Sequence, residues 1–380
     1  MFSRQFINLV MKDFGGCGGG GGSYWLSRMM PHENLFYPSA AEAITAHAQP
    51  NKMSLPYRST QELTQPVVRF KSSREACLTL EFMPFYGRGG GEGKIVAVDF
   101  VGQTVLYDAD ADDGGSIEML PRLNSSKWRG PISLCVTKAS ANGAQDSGRS
   151  TSLYAISSSY ASEFEALVHY NPYGLGRCDE NKAWHWRKLP PPPYLDDPAC
   201  EARTIQSYAL LEDGKTICIS SDREKGAFGT YCFDTSSHQW TKAGRWVMPF
   251  HGRALQVPEL HGLWFGMGGE SQHELCAADL SSLDRAPKVL RRWRVSGPPN
   301  HWLLIRSSMV YLGANRFCIA KTYGVFMEPQ KHDEELAAHT AAILTGVEIV
   351  NGEASRGKLR MVEHKSRTYI FERCGIEAMF

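Results

Sequence analysis

The chain has 380 residues, with 41 Lys and Arg against 40 Asp and Glu, so its formal net charge is +1. Such a balance gives no overall field favouring nucleic acid or an anionic membrane, and we expect neither as a partner. Apolar residues make up 42% and aromatic residues 11%, which excludes a disordered chain. The 36 Gly and 20 Pro favour many turns over a few long helices.

The N-terminal segment and the cysteines indicate the compartment. The apolar run Phe6 to Val10 is too short to span a membrane and lacks a small-residue cleavage site, so it predicts a first strand rather than a transit peptide. The ten cysteines include no C-x-x-C pair, and we interpret them as reduced thiols. Several are expected in strands of the core, namely Cys218, Cys232, Cys276 and Cys318. These features favour a cytoplasmic or nuclear protein.

Two glycine runs divide the first part of the chain. Residues 15–22 form a predicted flexible loop, and residues 87–93 form a second hairpin tip. Neither run fits a nucleotide loop, because no Lys-Ser or Lys-Thr follows the first and Glu92 stands three residues after Gly89. No cofactor is therefore expected at either place.

Between the loops, short runs of alternating or β-branched residues predict strands. Examples are Lys94 to Phe100, Thr216 to Ser220 and Arg316 to Ala320. Helical periodicity occurs at Ser39 to His47, where Ser39 is the expected N-cap, and at His332 to Leu344. The predicted fold class is all-β with short surface helices.

A repeat organises these strands. An aromatic residue followed by Asp or Asn ends a strand at intervals of 63 residues, and a short strand with a large side chain follows each turn. The Asp or Asn can start the turn, and a Trp on the returning strand can fill the wedge between sheets. The structural positions of the repeat are Asp108, Asn171, Asp234 and Asp279 at the turns, and Trp186, Trp240 and Trp293 at the wedges.

Units of this kind bury their faces by stacking in a ring. The period predicts one β-propeller domain over residues 1–380 with about six four-stranded blades, while an interval of 45 residues before Asp279 leaves five or seven open. We expect a monomer whose first strand, Phe6 to Val10, pairs beside Arg367 to Phe371.

The same residues carry a resemblance to a known family. The motifs are Trp186 to Tyr194, Phe233-Asp234-Thr235 with Trp240 to Gly244, Glu259 to Gly266, Leu275 to Leu280 and Leu344 to Glu348. Together they resemble a plant family, expanded in grasses, that is described only as a domain of unknown function. The blades more distantly resemble kelch repeats, although only Gly268-Gly269 supplies the paired glycines. Kelch propellers in plants often follow an F-box, but the residues before Ser54 do not resemble one.

Candidate metal and catalytic motifs fail on spacing. Asp108 to Glu118 begins like a calcium loop, but its Gly and its last Glu are out of register. His332 and His339 are seven residues apart, whereas a zinc helix needs a spacing of four. No G-x-S-x-G elbow occurs. We therefore assign no catalytic, cofactor-binding or metal-binding residue.

Two further segments have alternative interpretations. Lys288 to Arg294 is the most basic stretch of the sequence, and it predicts a solvent-exposed strand edge around the wedge residue Trp293. Alternatively, these side chains could contact nucleic-acid bases or phosphate, or form a nuclear-import signal. Pro190 to Pro193 predicts a stiff connection between blades, or else a polyproline II ligand.

The leading hypothesis is a non-enzymatic protein-interaction module with an unidentified protein partner. The alternative is an enzyme that processes small molecules or glycans with carboxylates in the central channel, which only the three-dimensional arrangement can reveal.

Overall fold

The structure is a computed structural model that describes residues 4–14, 22–48, 63, 65–71, 79–85, 93–111, 114–125, 130–138, 150–158, 163–170, 182–196, 204–221, 228–298, 302–325, 339–351 and 359–380. The predicted glycine loop at residues 15–22 lies outside the described residues except for Gly22. Asn171 also lies outside them.

The described residues form strands with two short helices. In chain order the elements are β1 (Ile7–Asp13), β2 (Ser23–Met29), α1 (Pro31–Asn34), α2 (Ala40–Ala48), β3 (Val68–Lys71), β4 (Leu80–Pro84), β5 (Lys94–Asp99), β6 (Thr104–Asp108), β7 (Ser116–Leu120), β8 (Ile132–Lys138), β9 (Ser150–Ile156), β10 (Phe164–Tyr170), β11 (Ala183–Lys188), β12 (Ile205–Leu210), β13 (Thr216–Ser221), β14 (Thr230–Asp234), β15 (Gln239–Gly244), β16 (Phe250–Val257), β17 (Leu263–Gly268), β18 (Glu274–Asp279), β19 (Lys288–Arg294), β20 (Trp302–Gly313), β21 (Arg316–Val325), β22 (His339–Asn351), β23 (Leu359–Phe371) and β24 (Cys374–Met379). Short 3₁₀ turns occur at Pro193–Asp196 and Pro258–Leu260.

The chain divides into two compact units. Unit 1 contains Met1–Glu75, Val257–Asp279 and Val289–Phe380, and unit 2 contains Ala76–Gln256 and Leu280–Lys288. In unit 2 the hydrogen-bonded strands form three antiparallel sets, β4 to β7, β8 to β11 and β12 to β15. β16 pairs in parallel with β12. Apolar side chains between neighbouring sets form its core. One cluster joins Val98 and Leu106 to Leu153 and Leu167, and another joins Phe164 to Phe233.

In unit 1 the sets are β24-β1-β2-β3, β17 to β19, and β20 to β23. One face of the β20 to β23 sheet packs against β1 and β24, through Leu312, Leu344 and Tyr369 against Leu9 and Met379. Antiparallel four-stranded sets with apolar faces are the blades of propellers. The prediction of an all-β, propeller-type fold with few helices is confirmed.

The first strand pairs with the last strand, and not with the predicted segment. The expected partner, Arg367 to Phe371, lies in β23 and pairs with β22. β1 instead lies between β2 and β24, with Leu9 opposite Met379 and Lys12 opposite Gly375. The prediction was wrong by one strand, because the hairpin from β23 to β24 places six further residues against β1.

One of the two predicted helices is observed. Ser39 caps α2, since its Oγ accepts from the N–H of Glu42 at 3.2 Å and donates to the Glu42 carboxylate at 3.1 Å. The helix predicted from His332 to Leu344 is wrong for residues 339–344, which belong to β22 and pair on both sides with β21 and β23. Two-sided strand pairing outweighs the local helical pattern there. Residues 332–338 lie outside the described part of the chain.

Two of the cysteines predicted to be reduced are joined. Cys218 on β13 lies directly opposite Cys232 on β14, and the two form a disulfide. The prediction was wrong here because the register of the hairpin, which composition does not reveal, brings the two Cα atoms to 4.3 Å. Cys276 and Cys318 are free and buried, as expected.

Candidate functional site

The repeat positions Asp108, Asp234 and Asp279 are the last residues of β6, β14 and β18. Asp234 accepts from the N–H groups of Ser236 at 2.7 Å and Ser237 at 3.1 Å, and these bonds hold its pKa below the ordinary value. Asp108 accepts from the N–H of Asp110 at 3.1 Å and pairs with Lys94 at 3.1 Å. The hydrogen bonds of Asp108 and Asp234 are those of turn-forming residues.

Trp186 and Trp240 lie between neighbouring sets of unit 2. Trp186 is buried against β5 and β6, and its indole N–H points at the Thr104 hydroxyl at 3.5 Å. Trp240 is half-buried and donates to the Pro190 carbonyl at 2.8 Å. Their registers differ, because Trp240 lies opposite Phe233 in the strand-end dipeptide, whereas Trp186 lies opposite Leu167 inside β10.

Trp293 lies on the basic strand β19. Its ring is parallel to that of Phe265, with centroids 6.4 Å apart, and Phe265 contacts Phe317 of β21. Along β19 the exposed residues alternate with half-buried ones, so Arg292 and Arg294 face solvent while Trp293 faces the protein. Arg292 pairs with Glu270 at 2.6 Å.

The acidic segment after Asp108 is a hydrogen-bonded turn. Asp110 accepts from the N–H of Gly93 at 2.7 Å, and Ala109 donates to the Gly93 carbonyl at 2.9 Å. Within the described residues no group of three or more His, Cys, Asp or Glu is placed to hold a metal ion. Asp112 and Asp113 lie outside those residues.

Lys321 of β21 is the buried cation of unit 1. Its ammonium donates to the carbonyls of Val295 at 2.8 Å and His273 at 3.2 Å. Burial lowers the pKa of this amine to about 8, although the nearby Glu363 carboxylate acts in the opposite direction. With 1% of its surface exposed, Lys321 joins β21 to the ends of β18 and β19 and presents no amine to a ligand.

His364 of β23 forms the second buried polar group of unit 1. Its Nε2 lies 3.0 Å from Glu348, which also pairs with Arg316 at 3.1 Å, and its Nδ1 accepts from the N–H of Tyr37 at 3.2 Å. Burial lowers the pKa of His364, and the Glu348 carboxylate opposes that effect. Both ring nitrogens are engaged, so the imidazole fixes the segment around Tyr37 and is not free to act as a general base.

Glu165 is the more deeply buried of two buried carboxylates among the described residues of unit 2, the other being Asp99. Its oxygens accept from the N–H and side-chain amide of Asn124 at 3.0 and 2.7 Å, and from the N–H and hydroxyl of Ser125 at 3.0 and 2.6 Å. These donors surround the carboxylate and fix the residues that follow β7. The arrangement is that of a structural anchor.

The exposed strand β7 differs from these closed groups. Ile117 is 63% and Met119 is 69% exposed, and only Leu120 of the strand is buried. The two side chains share one face, because residues two apart on a strand point the same way. Opposite them on β6 lie Tyr107 and Val105. β7 ends its sheet, so one side of its backbone has no strand partner among the described residues.

Six of the strands that end a set are β3, β7, β11, β15, β19 and β23, and each except β7 contains Lys or Arg in the described part of the chain. β4 and β24, at the other end of their sets, also lack Lys and Arg but carry no exposed large apolar side chain. Charged residues on edge strands, Lys above all, prevent unwanted pairing with another chain. β7 has no Lys or Arg, no Pro and no register shift against β6, and its one charged residue is Glu118. We define the β7 edge as residues Ser116–Leu120.

A second exposed apolar pair lies on β20, with Leu303 61% and Ile305 57% exposed. Here the register shifts between Leu304 and Arg306, which places Ile305 in a bulge, and the Arg306 guanidinium donates to the Glu377 carbonyl. A bulge and an adjacent cation are both devices that protect an edge. The β7 edge is the unprotected one of the two.

The repeat predicted a short strand after the turn at Asp108 but did not single out Ile117 and Met119. Ile117 lies opposite Tyr107 in the same way that Trp240 lies opposite Phe233. The position that holds the wedge residue Trp240 in one set therefore holds the smaller, exposed Ile117 in another. The available signal was the run Ser116 to Leu120, which contains two large apolar residues at alternate positions and no cation.

No described helix is long and apolar enough to cross a membrane. Among curated proteins none matches the chain in sequence. In structure the chain is similar to Sqt1 of Chaetomium thermophilum, solved bound to the N-terminus of ribosomal protein L10. The identity is 9%, the match covers 97% of each chain, and the TM-score is 0.36. The family model described as a protein of unknown function, DUF1668, matches residues 4–369. The chain therefore belongs to the DUF1668 family.

Proposed function

We propose that this protein is a non-enzymatic protein-interaction module, and that an extended segment of a partner protein pairs with the β7 edge. The supporting observation is that β7 ends its sheet without Lys or Arg and carries two exposed apolar side chains. Exposed apolar strand edges are templates for pairing with another chain.

The physical basis is strand addition. The open backbone of β7 supplies N–H and C=O groups for hydrogen bonds to the incoming segment. The side chains of Ile117 and Met119 supply an apolar surface, and burying a side chain of that size contributes roughly 1.5–3 kcal/mol. Backbone pairing gives affinity, and the apolar pair selects the register of the partner.

Finer features belong to the same proposal. We propose that the sets form six kelch-like blades in one domain, and that Asp108, Asn171, Asp234, Asp279, Trp186, Trp240 and Trp293 are its structural positions. We further propose a monomer in the cytoplasm or nucleus. The four-stranded antiparallel sheets support the proposal of blades.

A site-specific photo-crosslinker at position 119 tests the proposal. The control places the same crosslinker at Glu212, an exposed turn residue of unit 2 outside the β7 edge. Crosslinked partners are identified by mass spectrometry, and the captured segment is synthesised. Its affinity is then measured for the wild-type protein and for Ile117→Asp, which places a charge on the apolar face.

We expect position 119 to capture a segment that position 212 does not, and the peptide to bind Ile117→Asp at least about tenfold more weakly. Equal capture at the two positions, or equal affinity of the peptide for both proteins, would contradict the proposal.

A further inference from the structure

The charge of the β7 edge indicates what kind of segment it accepts. Glu118 is the one charged residue of β7, and it is exposed on the face opposite Ile117 and Met119. Its neighbour on β6 is Leu106, which carries no charge. Among the described residues no ion pair involves Glu118, whose side chain is exposed at the edge.

Two other residues of β7 share the Glu118 face, the buried Leu120 and the exposed Ser116. Ser116 lies opposite Asp108, whose carboxylate pairs with Lys94 at 3.1 Å. Glu118 and Asp108, the latter paired with Lys94, therefore lie on this face of the β6–β7 hairpin.

We propose that the partner segment alternates apolar and basic residues, with large apolar side chains beside Ile117 and Met119 and a Lys or Arg beside Glu118. The inference rests on the proposed pairing at the β7 edge. Directly opposed residues on neighbouring strands share a face, and opposite charges there are favourable whereas like charges are not.

The same charges argue against other occupants. An acidic segment would place a carboxylate against Glu118, and like charges on directly opposed residues are unfavourable. A nucleic acid binds through contacts of its phosphates with Lys and Arg, and β7 contains neither. A segment that is apolar on one face and basic on the other satisfies both faces of β7.

Three designed peptides test the inference. The three peptides have the same apolar residues at alternate positions. At the central polar positions, one peptide carries Lys, one carries Gln and one carries Glu. Fluorescence anisotropy gives their dissociation constants for the wild-type protein and for Glu118→Lys, at about 50 and 300 mM salt. The control is Glu212→Lys, which makes the same charge change at an exposed turn of the same unit.

We expect the Lys peptide to bind the wild-type protein about threefold to fivefold more tightly than the Gln peptide and about tenfold more tightly than the Glu peptide. Glu118→Lys should reverse that order, Glu212→Lys should preserve it, and high salt should compress it. Equal affinities of the three peptides, or an unchanged order in Glu118→Lys, would overturn the charge preference while leaving strand pairing intact. If no peptide binds, and the crosslinker at position 119 captures nothing, both the pairing and its charge preference are refuted.

Discussion

Replacing Trp240 with alanine removes a half-buried indole that joins two sheets of unit 2. The ring contacts Phe164 of β10 and Phe233 of β14, with centroids 5.7 and 4.9 Å away. Its N–H donates to the Pro190 carbonyl at 2.8 Å. The substitution therefore removes aromatic packing from two directions and one hydrogen bond.

The expected loss follows from these contacts. Fully buried Trp or Phe to Ala substitutions cost about 3–5 kcal/mol. The indole is only half-buried, and water can replace its hydrogen bond to the exposed Pro190 carbonyl, so the lower end applies. We expect Trp240→Ala to lower the free energy of unfolding of unit 2 by about 3 kcal/mol, and Trp240→Phe, which keeps the ring contacts, by about 1 kcal/mol.

Urea unfolding followed by far-ultraviolet circular dichroism measures both values. Ile117→Ala is the matched control, because an apolar side chain 63% exposed should change stability by less than about 1 kcal/mol. If Trp240→Ala is as stable as that control, Trp240 does not act as a wedge and the packing argument is refuted.

Three further perturbations test the buried groups. The pKa of Lys321 is about 8 in the native protein and 10.5 in the unfolded chain, so the unfolded chain binds more protons between these pH values. As the pH rises from 8 to 10.5, the free energy of unfolding of the wild type should therefore increase by roughly 3 kcal/mol relative to that of Lys321→Met, as measured by urea unfolding. Because the pKa of His364 is lowered in the native protein, the unfolded chain binds more protons below about pH 6.5, and acid should destabilise the wild type. His364→Gln, whose amide can form hydrogen bonds with both Tyr37 and Glu348, should be less sensitive to acid. Equal acid sensitivity of the two proteins would contradict this prediction. Peptide mapping without reductant should recover Cys218 joined to Cys232, and Cys218→Ser should lower stability by about 2–3 kcal/mol under oxidising conditions; free thiols at both positions would show that the link is absent.

The strand pattern could be predicted because it is local. Short runs of apolar and β-branched residues mark β5 and β13, and an aromatic residue followed by Asp marks the end of β6 at Asp108 and of β14 at Asp234. The sequence carries this information since each turn depends on residues close in the chain. The Ser39 cap of α2 is local in the same way.

Features that depend on pairing between distant segments could not be predicted. β24 pairs with β1, more than 360 residues away, and composition does not choose between β23 and β24. The link between Cys218 and Cys232 requires the register of one hairpin. The exposure of Ile117 depends on which side of a sheet stays open, although the absence of Lys and Arg from β7 is visible in the sequence.

Hydrogen exchange at the β7 edge, with and without the captured partner segment, tests the central claim most directly. The segment should slow exchange of amides within Ser116–Leu120, because new backbone hydrogen bonds form on the open side of the strand. Ile117→Asp should abolish that protection at the same segment concentration. Protection confined to other strands, with β7 amides unchanged, would contradict strand addition at this edge.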